Sequence, residues 1–315
     1  MDVVCLGILV ADVLGRPVDG YPERGKLRLV DRMELHTGGC AANTGISLAK
    51  IGIATGVIGR VGRDGFGDFI IGELERYGVN CSAVVRDAAA ATSATMVMVH
   101  GDGERSFIHY LGANAALCEG DADIELIRRA KVLHIGGTFV LPGIDGEPTA
   151  RILAKAREAG VTTSLDTTWD SKGRWMSLLR PCLEQVHYFL PSFEEARMLT
   201  GKDTPEEAAE VLLDAGVGTV ALKLGERGCY IRNADARLEI PGFKVKAVDA
   251  CGAGDAFAAG FLAGVVRGWD LERTGRFANA VGAMCVTALG SASGVRDEAA
   301  VEEFMAAHRG SGASG

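Results

Sequence analysis

The segment Asp249–Asp255, with the sequence DACGAGD, contains the residues whose types and spacing most directly suggest chemistry. Small residues precede Asp255, and the apolar, alanine-rich run from Ala256 onward has helical spacing. Free N–H groups at a helix N-terminus bind an anion and stabilise developing negative charge, and small residues let that anion approach closely. The segment therefore predicts an anion site with a carboxylate inside it.

Asp255 has two interpretations on these grounds. It can be the general base that takes a proton from a hydroxyl as the hydroxyl attacks a phosphoryl group held by the loop amides. It can equally be the cap of its helix, a role that contributes about 1 kcal/mol. A dinucleotide-binding loop is disfavoured because no third glycine follows Gly254 at the required spacing.

The elements that would position this loop alternate between buried strands and amphipathic helices. Runs such as ATGVIGRVG and AKVLHIGG are typical of parallel strands buried on both faces. Helical repeats such as PTARILAKAREAGV end at the glycine expected after a helix C-terminus. The alternation predicts an α/β fold with a mostly parallel sheet. Within it we expect DVVCLGILVA to form one strand and FKVKAV to form the strand before the glycine loop.

Composition restricts the classes of partner. The formal net charge of −8 and the pI near 5.4 argue against nucleic acid or an anionic membrane, since both favour a basic surface. No apolar run is long enough to span a bilayer, and the first residues lack the basic region of a signal peptide. The eight cysteines have no metal-binding spacing and fit free thiols in a reducing compartment. We therefore expect a cytoplasmic protein that binds small molecules.

Two segments, residues 13–35 and 95–110, break the alternation. Both are typical of antiparallel strands, with Gly101-Asp102-Gly103 as the turn of the second. We expect them to form a small β-sheet lid over a core made of residues 1–12, 36–94 and 111–309. Residues 310–315 are predicted to be a disordered tail. Since a small apolar sheet often needs a partner, we also expect a homodimer formed through the lid.

Seven motifs follow one another in an order typical of a single enzyme family. DACGAGDAFAAGF contains the pattern D-x-x-G-A-G-D, and HTGGCAANTG and GRVGRDGFG contain G-G-x-x-x-N and G-x-V-G-x-D-x-x-G. The others are GDGERSF, FLPSFEEARMLTG, ALKLGERG and FANAVGAMCVTALGSASGV. Over nearly its whole length the protein thus resembles the ribokinase-like carbohydrate kinases, the PfkB family. The resemblance implies a three-layer α/β/α sandwich with a β-sheet lid, and ATP-dependent phosphorylation of a small sugar or sugar-like hydroxyl.

The resemblance assigns the catalytic roles to the glycine loop. Asp255 would be the general base, and Gly252, Ala253 and Gly254 would offer N–H groups to the transferring phosphoryl group. Asp249 would lie near a monovalent cation such as K⁺, held with carbonyls of the TALGSASG turn. Stabilisation of its own turn is an equally open interpretation of Asp249.

The resemblance also implies a site for ATP and Mg²⁺. Glu195 matches a family glutamate that arranges Mg²⁺ and its waters, a reasonable role because Mg²⁺ keeps several waters. Ser192 stands where the family usually has Asn. Without the resemblance, Glu195 would simply be a first-turn acid that favours the helix dipole.

Four further residues are implied at the nucleotide. Gly225 and Gly228 match positions where the backbone passes beside it. Lys223, at a position where Thr is frequent, either pairs with phosphate or is solvated. Asn279 either borders the adenine or packs in the core.

For the acceptor, Asp and Asn side chains suit vicinal diols because each makes two directed hydrogen bonds. Strand-end, turn and helix-cap roles are the alternatives for these positions. The implied contacts are Asp12, Gly38, Gly39 and Asn43, with Arg105 and Asn114 near the lid and Asp166 after a strand. Cys40 replaces a lysine common in ribokinases, which disfavours ribose. A nucleoside kinase and a non-catalytic sugar- or nucleotide-binding regulatory protein are the alternative functions.

Overall fold

The computed structural model describes residues 1–101 and 104–308. Its strands are β1 Val3–Gly7, β2 Val10–Arg16, β3 Arg32–Gly38, β4 Thr55–Gly62, β5 Asn80–Asp87, β6 Ala94–Val99, β7 Arg105–Tyr110, β8 Val132–Thr138, β9 Thr162–Thr167, β10 Tyr188–Phe189, β11 Thr219–Lys223, β12 Gly228–Arg232 and β13 Arg237–Pro241. Its α-helices are α1 Cys40–Lys50, α2 Gly65–Arg76, α3 Ile124–Arg128, α4 Glu147–Glu158, α5 Trp175–Leu183, α6 Phe193–Thr200, α7 Pro205–Asp214, α8 Ala253–Arg267, α9 Leu271–Cys285 and α10 Glu298–Ala307.

A nine-stranded sheet runs through the middle of the described part of the protein in the order β13-β12-β11-β10-β9-β8-β1-β4-β5. From β11 to β5 neighbouring strands are parallel, and β12 and β13 add an antiparallel edge. Helices α1, α2, α8, α9 and α10 pack on one face, and α4 to α7 pack on the other. The three-layer α/β/α prediction is confirmed. In such sheets ligands bind at the carboxyl ends of the strands.

A separate four-stranded sheet has the order β3-β2-β6-β7, and we call it the lid sheet. The expectation that all its strands are antiparallel is wrong, because β2 and β6 pair in parallel. The long segment from β3 to β5 separates these two strands, so no hairpin forces them to run in opposite directions. The lid sheet also extends to Val10 and Gly38, beyond the range expected from the sequence. The division into core and lid stays a prediction, and Asp102, Gly103 and residues 310–315 lie outside the described residues.

The first apolar run is two strands, where one was expected. β1 joins the large sheet and β2 joins the lid sheet, with a break at Ile8 and Leu9. At the break, the Asn114 side chain accepts from Leu9 N–H at 3.1 Å and donates to Leu9 C=O at 2.9 Å. Asn114 therefore has a structural role, because it satisfies buried backbone groups, and its expected contact with the acceptor stays a prediction.

The FKVKAV segment is also not a strand, so the glycine loop follows an irregular connection. The edge strand β13 ends at Pro241, and no further strand in the described part pairs with residues 243–248. Val248 and Asp249 instead donate their N–H groups to Val286 C=O, at 2.7 and 3.1 Å. These bonds tie the connection to the end of α9.

Within the described ranges, no helix is long and apolar enough to cross a membrane.

Candidate active site

Asp255 lies in the first turn of α8, and its carboxylate faces α1. Asn43 Nδ2 donates to Asp255 Oδ2 at 2.8 Å, and Asn43 Oδ1 is buried without a hydrogen-bond partner among the described residues. Burial raises the pKa of Asp255, and the hydrogen bond from Asn43 partly opposes that rise. The N-cap position belongs to Gly252, and no side chain caps this helix. The cap interpretation of Asp255 is therefore wrong, and its carboxylate bonds to Asn43 and not to the amides of its own helix.

The loop before Asp255 requires glycine at Gly252. Its φ is 76°, and a Cβ there would lie 2.1 Å from Ser291 C=O. Across the described ranges, no hydrogen bond is made by the N–H groups of Gly252, Gly254 or Asp255. Ala253 differs from the expectation, because its N–H donates to Ala250 C=O at 3.3 Å. The available anion donors are thus the amides around Ala253 and at the start of α8.

Three carboxylates and one ammonium line the cleft beside this loop: Asp166, Glu195, Asp255 and Lys223. Lys223 Nζ lies 2.7 and 2.8 Å from the two oxygens of Asp166. Burial raises the pKa of Asp166 to about 7, and the Lys223 ammonium opposes that rise. Asp166 thus forms a buried ion pair with Lys223, and its expected contact with the acceptor stays a prediction. Lys223 is not solvated, since its exposed fraction is 14%.

Ser192 and Glu195 form a reciprocal cap at the start of α6. Glu195 N–H donates to Ser192 Oγ at 3.2 Å, and Ser192 N–H donates to Glu195 Oε2 at 2.8 Å. Thr167 Oγ1 also donates to Glu195 Oε2, at 3.1 Å. None of these three bonds uses Oε1 of Glu195, and the Glu195 side chain lines the cleft.

Two backbone hydrogen bonds and an ion pair hold the carboxylate of Asp249 in place. Cys251 N–H donates to Oδ1 at 2.7 Å, and Gly290 N–H donates to Oδ2 at 2.9 Å. Arg105 Nη1, from lid strand β7, lies 2.5 Å from Oδ1. Burial acts to raise the pKa of Asp249, but these donors outweigh it and leave the pKa below its ordinary value. Arg105 therefore connects the lid sheet to the glycine loop.

The expected acceptor residues meet where the lid sheet joins α1. A Cβ at Gly38 would lie 2.0 Å from Asp12 Oδ2, so the carboxylate rests directly on the glycine. Burial raises the pKa of Asp12, and a hydrogen bond with Thr95 opposes the rise. Gly39 is the N-cap residue of α1, which carries Asn43 to Asp255. These residues form one continuous region with the general-base candidate.

The cleft has a volume of about 1510 Å³ and extends from Cys40 to the edge strand β13. Gly225, Gly228 and Asn279 line its far end. Asn279 Nδ2 donates to the carbonyls of Ile240 and Pro241, at 3.1 and 3.2 Å. Asn279 therefore both packs against β13 and borders the cleft, so its two interpretations are compatible.

Sequence reasoning missed Trp169, which lines the same cleft. Only its place two residues after β9, at the carboxyl edge of a parallel sheet, could have marked it.

Comparisons with known proteins identify the family. A model of the pfkB family of carbohydrate kinases matches residues 1–298. Fructokinase-1 of Oryza sativa is 32% identical over 85% of this chain and 88% of its own. The 2-dehydro-3-deoxygluconokinase of Bacillus subtilis is 28% identical over 91% and 92%. The structure of Arabidopsis thaliana ribokinase complexed with ribose and ATP aligns with a TM-score of 0.84 and 26% identity, over 96% of this chain and 98% of that one. The chain belongs to the pfkB family of carbohydrate kinases and has the ribokinase-like fold.

Proposed function

We propose that this kinase transfers the γ-phosphoryl group of ATP to a hydroxyl of a small sugar, with Asp255 as the general base. The observation that supports this most is Asp255 itself, a buried carboxylate beside unused helix N-terminal amides. A raised pKa makes a carboxylate a better base near neutral pH. Asp255 would take the hydroxyl proton, and the amides of Gly252 and Gly254 would stabilise the charge on the phosphoryl oxygens.

The cleft residues suit a nucleotide with Mg²⁺. Asp166, Glu195 and Asp255 bring three carboxyl groups to the part of the cleft beside the glycine loop, where Lys223 pairs with Asp166. In the described residues no three acidic, His or Cys side chains converge closely enough to bind a metal directly. Glu195 and Asp166 would hold Mg²⁺ through water, because Mg²⁺ keeps several of its waters, and the bound ion would neutralise phosphate charge. Lys223 would contact phosphate from the side of Gly254, while Ser192, Gly225, Gly228 and Asn279 would border the rest of the nucleotide.

The acceptor is proposed to be a sugar or sugar acid. The relatives' names specify fructose and 2-dehydro-3-deoxygluconate, and Asp12 with the unpaired Asn43 Oδ1 offers oxygen acceptors suited to hydroxyl groups. Arg105 borders this region but is paired with Asp249. Cys40, beside Asp255, supplies no cation of its own. A nucleoside remains the second acceptor class to test.

The test is ADP release from MgATP with fructose, ribose, 2-dehydro-3-deoxygluconate, gluconate and adenosine as acceptors. Asp255→Asn should lower kcat by at least about a hundredfold, the scale for a lost general base. Asp270→Asn is the matched control, because Asp270 caps α9 by accepting from Arg273 N–H. An Asp255→Asn variant with wild-type turnover would refute the base assignment. Sugar binding without ADP release would favour the non-catalytic regulatory alternative.

A monovalent cation beside Asp249 stays a prediction. The two backbone donors and Arg105 around its carboxylate favour the alternative of turn stabilisation. Turnover in KCl and in NaCl at equal ionic strength decides the question, because a bound K⁺ would give higher activity in KCl.

A homodimer through the lid is proposed from one apolar row on the outer face of the lid sheet. Leu35, Val13, Met96 and Ile108 pair side by side across its strands. Leu35, Met96 and Ile108 are 37, 53 and 49% exposed. A second copy would bury this row, and a monomer in light scattering would refute the proposal.

A cytoplasmic location is proposed because all eight cysteines are free. Free thiols persist in reducing compartments. Localisation of the tagged protein in cell fractions tests this.

A further inference from the structure

Trp169 is an exposed aromatic side chain at the wall of the cleft. Its exposed fraction is 55%, and it lies one residue after Thr168 in the cleft lining. The other two tryptophans pack against neighbouring side chains. Trp175 is 7% exposed, and Trp269 packs against Phe277 and beneath the Arg273 guanidinium. An exposed indole beside a cleft is therefore exceptional in this protein.

The loop that carries Trp169 is fixed on both sides. Thr168 donates its N–H and its hydroxyl to Thr138 C=O, at 3.1 and 2.8 Å. Asp170 is 2% exposed and accepts from the N–H groups of Lys172 and Trp175, at 3.1 and 2.9 Å. The Arg174 guanidinium pairs with the same carboxylate. These bonds hold Trp169 in place before any ligand arrives, which lowers the entropic cost of a contact.

The aromatic support beneath Trp169 is strained. Trp169 meets Trp175 edge-on at 5.0 Å between ring centroids, and Trp175 meets Phe139 at 5.5 Å. Phe139 and Trp175 have φ values of 86° and 37°, in the left-handed region that bulky residues avoid. Strain of this kind persists where surrounding contacts impose it, and it is concentrated at ligand sites.

The position of Trp169 in the sheet indicates which substrate it faces. Asn279 and β13 border the far end of the cleft, whereas Trp169 follows β9. Four strand spacings separate β9 from β13, which is about 19 Å. Trp169 is thus at the end of the cleft that contains Asp166, Cys40 and Asp255, away from the end proposed for the adenine.

We propose that Trp169 is a specificity-determining residue that stacks its exposed indole against the ring of a cyclic sugar acceptor. That the bound sugar is the phosphoryl acceptor rests on the proposed kinase function. The stacking contact itself favours a furanose or pyranose ring over a linear polyol. The C–H face of such a ring is apolar, while its hydroxyls point outward toward groups such as Asp12 and Asn43. An aromatic face on one side and oxygen acceptors on the other distinguish a ring from a linear molecule.

The first experiment measures binding without turnover. Intrinsic fluorescence is titrated with D-fructose, D-ribose and 2-dehydro-3-deoxygluconate in the absence of nucleotide, with the linear polyol D-glucitol as the matched ligand. We expect saturable quenching by at least one cyclic sugar in the wild type and in Trp269→Phe, and its loss in Trp169→Phe. Equal quenching in Trp169→Phe, no quenching by any cyclic sugar, or quenching by MgATP alone would overturn the proposal.

The second experiment measures selectivity in turnover. Trp169→Ala should raise KM for the cyclic acceptor roughly three- to tenfold, with KM for ATP unchanged and the preference over D-glucitol reduced. An unchanged acceptor KM would overturn the proposal. Sugar quenching that depends on Trp169 in a protein that releases no ADP would support the stacking site while refuting the kinase mechanism, so the two failures are distinguishable.

Discussion

Replacing Lys223 tests the charge balance of the cleft. Its ammonium lies within 2.8 Å of both oxygens of Asp166, and both side chains are largely buried. Lys223→Met substitutes an apolar side chain of similar length and leaves the carboxylate without its partner. The double variant Lys223→Met/Asp166→Asn removes both charges and is the matched control.

The expected effect depends on pH because the pKa of Asp166 is about 7 in the folded protein and about 3.9 in an unfolded one. The folded state therefore holds a proton that the unfolded state has released, so this group lowers the free energy of unfolding by about 1.4 kcal/mol per pH unit up to the folded pKa. In the wild type that fall ends near pH 7. Without Lys223 the pKa of Asp166 is higher, and the fall continues above that pH.

Urea unfolding at about pH 6 and about pH 8.5 measures this difference. At the lower pH Asp166 is protonated in both proteins, so the loss of free energy should be small. At the higher pH the extension of about 1.5 pH units corresponds to up to about 2 kcal/mol of destabilisation. The double variant has no Asp166 titration, so it should lose nothing from this group at the higher pH. It should instead gain about 1.4 kcal/mol on the wild type, whose free energy of unfolding falls between about pH 6 and the folded pKa. Equal destabilisation of Lys223→Met at both pH values would refute the titration assigned to Asp166.

Three further outcomes are expected. Asn43→Ala removes the hydrogen bond that lowers the pKa of Asp255, so the acidic limb of the plot of kcat against pH should move to higher pH. An acidic limb at the wild-type pH would show that Asn43 does not set the pKa of the general base. Gly38→Ala places a Cβ 2.0 Å from Asp12 Oδ2 and should raise the acceptor KM about tenfold or more, with KM for ATP as the control. Ile108→Asp should halve the mass in light scattering, and an unchanged dimer mass would exclude this face as the contact.

Several features were predictable because they depend on contiguous residues. Hydrophobic period and terminal glycines identified most of the βα alternation, and thus the sandwich. The small residues before Asp255 marked the start of α8. The resemblance added the family, which the match over residues 1–298 confirms.

Other features could not be predicted because their partners are distant in sequence. Lys223 and Asp166 are 57 residues apart and meet only because β9, β10 and β11 are neighbours in the sheet. Arg105 lies on β7 and pairs with Asp249 in the glycine loop, 144 residues later, because the lid sheet folds back over that loop. In both cases the strand order, and not the local pattern, selects the partner.

The sequence by itself determined the α/β class, the position of the glycine loop and the identity of the carboxylate within it, since period, turn residues and helix starts are local properties. Only the tertiary structure decided which charges pair, that Asp255 is not a cap, that the first apolar run divides between two sheets, and that Trp169 faces the cleft. Those outcomes depend on burial and on contacts across the sheet, where the environment of a group is set by residues that the local sequence does not contain.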